Sequence, residues 1–87
     1  MSPLIQHAQR LREHRRHREA IAALHQHLAA DPDDFKGHFE LALTRLSEGE
    51  DHRSALADIE RAIALSPDAA IAHALRSAIL NRLERHA

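Results

Sequence analysis

The stretches HREAIAALHQHLAADPDDF (17–35) and HRSALADIERAIALSPDAA (52–70) repeat each other, and this restricts the fold more than any other feature of the chain. Aligned on their prolines, Ala20 matches Ala55, Leu24 matches Ile59, Leu28 matches Ile63 and Pro32 matches Pro67, each pair 35 residues apart. A period of that length belongs to a supersecondary unit that buries its apolar face against copies of itself.

Each copy has helical spacing. Ala20, Ile21, Leu24 and Leu28 fall on one helix face, as do Ala55, Leu56, Ile59, Ala62, Ile63 and Leu65. Both copies end at Asp-Pro or Ser-Pro, where the proline ring disfavours a helical conformation for its predecessor. Between them, Phe35, Phe39, Ala42, Leu43 and Leu46 make a second stripe. Gly49 reads as its stop, and Glu50 and Asp51 as the start of the next helix. Upstream, Ser2 reads as an N-cap and Pro3 as a first helical residue, followed by the stripe Leu4, Ile5, Ala8 and Leu11. Downstream, Ile71, Leu75, Ile79 and Leu83 repeat the pattern. The composition agrees: Ala and Leu dominate, with two Gly, three Pro, two Phe and no Val. The expectation is an all-α chain of five antiparallel helices.

A two-helix unit with small residues at the helix crossing and a proline at its end resembles the tetratricopeptide repeat. Ala20-x3-Leu24 with Pro32, and Ala55-x3-Ile59 with Pro67, follow the second half of its pattern. Leu4-x2-His7-Ala8-x2-Leu11, His38-x2-Leu41-Ala42 and His73-x2-Arg76-Ser77-x2-Leu80 follow the first half more loosely. The resemblance implies a short right-handed solenoid with repeats at 2–33 and 34–67 and a half repeat or cap at 68–87. It implies close crossings of Ala8 with Ala20 and of Ala42 with Ala55. His27 departs from the family, which has a small residue there, as Ala62 is in the second unit; Arg15 stands where the second unit has Gly49. The ending NRLERHA aligns with the link after a first helix, which suggests a fragment of a longer array.

The same resemblance implies a non-enzymatic module that holds a peptide or segment of a partner protein on the concave face of the first helix of each unit. The residues facing that groove would be Ile5, Gln9, Arg12, Phe39, Leu43, Leu46, Ala74 and Ala78. A second expectation is self-association: with no following helix to cover them, Ile71, Leu75, Ile79 and Leu83 would present an apolar face to another copy, giving a homodimer.

Other chemistry finds little support. There is no cysteine, which removes disulfides, thiolate catalysis and thiolate zinc sites. Ser2, Ser47, Ser54, Ser66, Ser77 and Thr44 suggest no nucleophile–base pair, and no cofactor is expected. Of nine histidines, only His14 and His17 are one turn apart, and two ligands do not make a tetrahedral site, so the histidines read as solvated surface. No apolar run has the length of a membrane span, and a cytoplasmic setting is the expectation.

The run REHRRHRE (12–19) holds four Arg, two His, two Glu and no apolar residue. With no interleaved aromatics and with acids among the bases, it reads as a solvated turn rather than a nucleic-acid patch. The alternative is one fused helix from Leu4 to Leu28, because the run contains neither Gly nor Pro.

Overall fold

The structure, a computed structural model, describes residues 3–85. It contains helices α1 (Pro3–Glu13), α2 (His17–Ala30), α3 (Phe35–Glu48), α4 (His52–Leu65) and α5 (Ala70–Arg85), and no strand among the described residues. Ser2 and its capping role lie outside the described residues.

The link between α1 and α2 is a turn, so the helices are not fused. Arg15 adopts φ 62°, in the left-handed region. Its N–H donates to the Arg12 carbonyl at 2.9 Å, and the next N–H, of Arg16, reaches back to the Leu11 carbonyl at 2.8 Å. These paired bonds are a Schellman motif, which reverses the chain and satisfies carbonyls that a continuing helix would have used. At the matching point after α3, Gly49 has φ 81° and a single bond from its N–H to the Arg45 carbonyl. The two links thus need the same left-handed residue, and only the second supplies glycine for it. A side chain in that region is destabilised by roughly 1–2 kcal/mol. Arg15→Gly should therefore stabilise the chain by about 0.5–1 kcal/mol, and Gly49→Ala destabilise it by about 1 kcal/mol. A Cβ at Gly49 meets nothing within 4 Å, so its cost is conformational alone. Urea unfolding of the two variants should give opposite signs.

The starts of α3 and α4 follow from acids placed where orphan N–H groups need acceptors. Asp34 caps α3 by accepting from the Gly37 N–H at 3.1 Å, and Asp51 caps α4 by accepting from the Ser54 N–H at 3.0 Å. The proline turns repeat as structure too. Asp34 N–H bonds to the Asp31 carbonyl, and Ala69 N–H to the Ser66 carbonyl, around Pro32 and Pro67. His38 and His73, 35 residues apart, each donate from Nε2 to the proline carbonyl of the preceding turn, at 2.7 and 2.8 Å.

Successive helices pack as hairpins, and the odd-numbered helices also touch one another, α1 with α3 and α3 with α5. The shortest dimension is 18 Å, about two helix layers. One core cluster holds Ile5, Ala8, Leu11, Ala20, Ala23, Leu24 and Leu41. The other holds Ala42, Ala55, Ile59, Ala62, Ala72, Leu75 and Ile79. Adjacent residues on α3, Leu41 and Ala42, point about 100° apart and so serve one core each. The repeat-matched residues Ala20, Ala55, Leu24 and Ile59 are all fully buried.

Three expectations about burial need correction. Ile5, expected to face a groove, is buried in the first core. Leu75 and Ile79, expected to lie uncovered, are buried in the second core, which draws on α3, α4 and α5. The reason is geometric: residues four apart precess by about 40° around a helix, so Ile71 lies about 80° from Ile79. Leu83 is half-buried and Ile71 is left open, at 61% exposure. His27, read with the other histidines as solvated surface, is buried on α2. Asp58 on α4 is also largely enclosed, its side chain 14% exposed beside Arg45.

Candidate functional site

The face shared by α1, α3 and α5 has a polar end and an apolar end. At the polar end the Glu40 side chain, on α3, is 6% exposed. Its Oε1 accepts from Gln9 Nε2 at 2.8 Å and its Oε2 from Arg12 Nη1 at 2.5 Å. Gln9 and Arg12 lie one turn apart on α1, so both reach one carboxylate across the helix crossing. Two of the expected groove residues are thereby engaged in tying α1 to α3.

The apolar end lies on α3 and α5. Phe39, Leu43 and Leu46 are half-buried against the second core. Phe39 stacks on Phe35, with ring centroids 5.9 Å apart and planes 22° from parallel. On α5, Ala74 and Ala78 are exposed, and with Ile71 they form an i, i+3, i+7 stripe on one helix face. Lys36, Phe39 and Leu43 occupy the same positions 35 residues earlier on α3. Ile71 thus belongs to this stripe, apart from the core residues with which its spacing had grouped it.

A concavity of about 360 Å³, widely open, lies between the α1–α2 and α3–α4 links. It is lined by Arg15, Arg16, His17 and Arg18 on one side and Glu48 and Glu50 on the other, with Glu19 between. Arg16 and Glu19 pair at 3.6 Å with both side chains more than 60% exposed. Such a pair contributes little in water. The mixed charge and the exposure fit a solvated turn.

Between α2 and α4, Arg45 of α3 donates from Nη1 to Asp58 Oδ2 at 2.9 Å, and its Nη2 lies 3.3 Å from His25 Nε2. Burial pushes the Asp58 carboxyl up to about 6, and the Arg45 guanidinium offsets this only in part. Burial and the same guanidinium lower the His25 imidazole below its ordinary value. Arg45 pins three helices through these contacts.

The α2–α3 turn holds a constellation that sequence reasoning passed over. His27, buried on the last turn of α2, places Nε2 2.7 Å from Asp34 Oδ2. The same carboxylate caps α3. Burial pushes the Asp34 carboxyl up, but the hydrogen bonds from His27 and the Gly37 N–H outweigh it and hold the group below its usual value. Asp31, the C-cap residue of α2, lies alongside: one donor atom from each of His27, Asp31 and Asp34 lies within 4.8 Å of the others. The signal was the spacing His-x3-Asp-x2-Asp across a helix end, which a search for pairs of histidines does not detect.

No helix of the described residues is long and apolar enough to cross a membrane. Compared with family models, with curated proteins and with solved structures, the chain matches none.

Proposed function

We propose that this chain is a non-enzymatic helical-repeat module of the tetratricopeptide type, which holds an apolar segment of a partner protein against the face formed by α1, α3 and α5. The observation that carries the reading is the stripe of Ile71, Ala74 and Ala78, exposed on α5 and matched by Lys36, Phe39 and Leu43 on α3. Among the described residues, Ile71 is the large apolar side chain left most open, and it is a side chain that an interaction site for an apolar segment would use. Small residues at 74 and 78 leave room for the side chains of a bound segment. The odd-numbered helices touching one another, with the 35-residue period, support the repeat assignment.

Selection from a random peptide phage library against the intact chain tests the reading. Peptides rich in apolar residues should be recovered, and Ile71→Glu with Ala74→Glu should weaken them at least about tenfold. Both positions are exposed, so the thermal transition should not move. Phe39→Ala with Leu43→Ala should weaken binding as well, while Glu60→Ala, exposed on α4, should leave it unchanged. Equal losses in all three variants, or no selected peptide, would count against the site. Light scattering that shows a dimer dissociated by Ile71→Glu would reassign the face to contact between copies of this chain.

A further inference from the structure

The first repeat junction differs from the second in a way that packing does not require. Thirty-five residues after His27, Asp31 and Asp34 stand Ala62, Ser66 and Ala69, which offer neither an imidazole nor a carboxylate. Ala62 is fully buried, so a small apolar residue satisfies this position of the fold. At the first junction the imidazole takes that position, and Gly37 replaces the residue matched by Ala72. A Cβ on Gly37 would lie 3.0 Å from His27 Cδ2 and 2.6 Å from Leu28 Cδ2. The glycine, unfavourable inside a helix, makes room for the imidazole and its neighbour.

The three donor groups sit on fixed backbone. His27 is helical, Asp31 is the C-cap of α2, and Asp34 is the N-cap of α3. The turn between them is closed by the bond from Asp34 N–H to the Asp31 carbonyl. The remaining acid, Asp33, accepts from Arg61 at 2.7 Å.

We propose that His27, Asp31 and Asp34 form a binding site for a divalent transition-metal cation of the zinc, cobalt or nickel kind. One imidazole nitrogen and two carboxylates suit such ions, and the two negative charges balance the cation. Magnesium and calcium prefer all-oxygen shells and are disfavoured. Metal–ligand bonds of about 2.0–2.2 Å set neighbouring donor atoms roughly 3–3.5 Å apart, so the His27 Nε2 and Asp34 Oδ2 pair must open from 2.7 Å, and the exposed Asp31 side chain is free to turn onto the ion. The cation takes the place of the proton shared by His27 Nε2 and Asp34, and water completes the shell on the exposed side. Bound there, it links the end of α2 to the start of α3 and stiffens the junction between repeats.

Cobalt(II) titration of the full chain, followed by calorimetry and visible absorption, tests this. One equivalent should bind, and the thermal transition should rise with cobalt concentration, since a ligand of the folded state stabilises it by mass action. His27→Gln and Asp31→Asn should each weaken binding at least about tenfold, as loss of one of three ligands does. The Asp31 side chain caps no helix, so Asp31→Asn should melt like the parent chain without metal and separates ligand loss from misfolding. The double variant His14→Gln/His17→Gln, which removes the histidine pair one turn apart, should still bind one equivalent. Binding that survives His27→Gln and Asp31→Asn but is lost in the His14/His17 variant would overturn the proposal, as would the absence of binding at millimolar cobalt.

Discussion

Ile59→Ala is expected to remove about 3–4 kcal/mol of stability. Ile59 is fully buried in the second core, which also holds Ala42, Ala55, Ala62, Leu75 and Ile79. Helices held together on several sides close only partly on a vacated space, so the cavity term adds to the lost transfer energy. A domain of this size has a total stability of about 5–15 kcal/mol, so the variant should keep its fold at room temperature and unfold at a clearly lower urea concentration. Ile59→Leu is expected to cost less than about 1.5 kcal/mol, because the repeat-matched residue in the first unit is Leu24, also fully buried. Urea unfolding followed by helical circular dichroism measures both. A loss under about 1 kcal/mol for Ile59→Ala would mean that the second core is not packed as described.

Glu40→Ala should cost about 2–4 kcal/mol, by leaving the partly buried Arg12 guanidinium and the Gln9 amide without their shared acceptor. The single change Arg12→Ala should cost a similar amount, now by leaving a carboxylate that is 6% exposed without its cation. The double variant Arg12→Met/Glu40→Met is expected to recover most of the loss, since two apolar chains of similar volume carry no desolvation penalty. Urea unfolding of the four proteins measures the two losses and the recovery. Single losses below about 0.5 kcal/mol would place the pair among surface ion pairs and remove it as a tie between α1 and α3.

The elements themselves were readable because their signals are local. Proline, Gly49 and Asp51 act on backbone within a turn of themselves, so several helix limits followed from neighbours in the chain. The link at Arg15 was legible by a different route. The run 12–19 has no breaker, but its match to Gly49 thirty-four residues later pointed to a turn, and the Schellman bonds of Arg15 and Arg16 supply one. Here the repeat carried information that local propensity lacked.

The candidate sites were less readable. Gln9 and Arg12 lie 31 and 28 residues from Glu40, and nothing in their spacing announces a shared carboxylate. His27 and Asp34 are close in sequence, yet they sit on different helices, and only the angle of the turn brings their side chains together. The stripe Ile71, Leu75, Ile79 and Leu83 was read as one surface. Its slow rotation around α5 gives Ile71 to solvent and Ile79 to the core.

The sequence by itself pointed to five helices, the 35-residue period and the small residues Ala8, Ala20, Ala42 and Ala55, which lie buried in the two cores. Those properties depend on hydrogen bonds and steric limits within a few residues, or on comparison of one unit with the next. The tertiary structure decided which side of each stripe is covered, that Glu40 holds Gln9 and Arg12, that Ile71 remains open, and that His27, Asp31 and Asp34 converge. Periodicity specifies the face a helix must bury but not the neighbour that buries it. That choice depends on helix rotation and crossing angle, which only the packed chain sets.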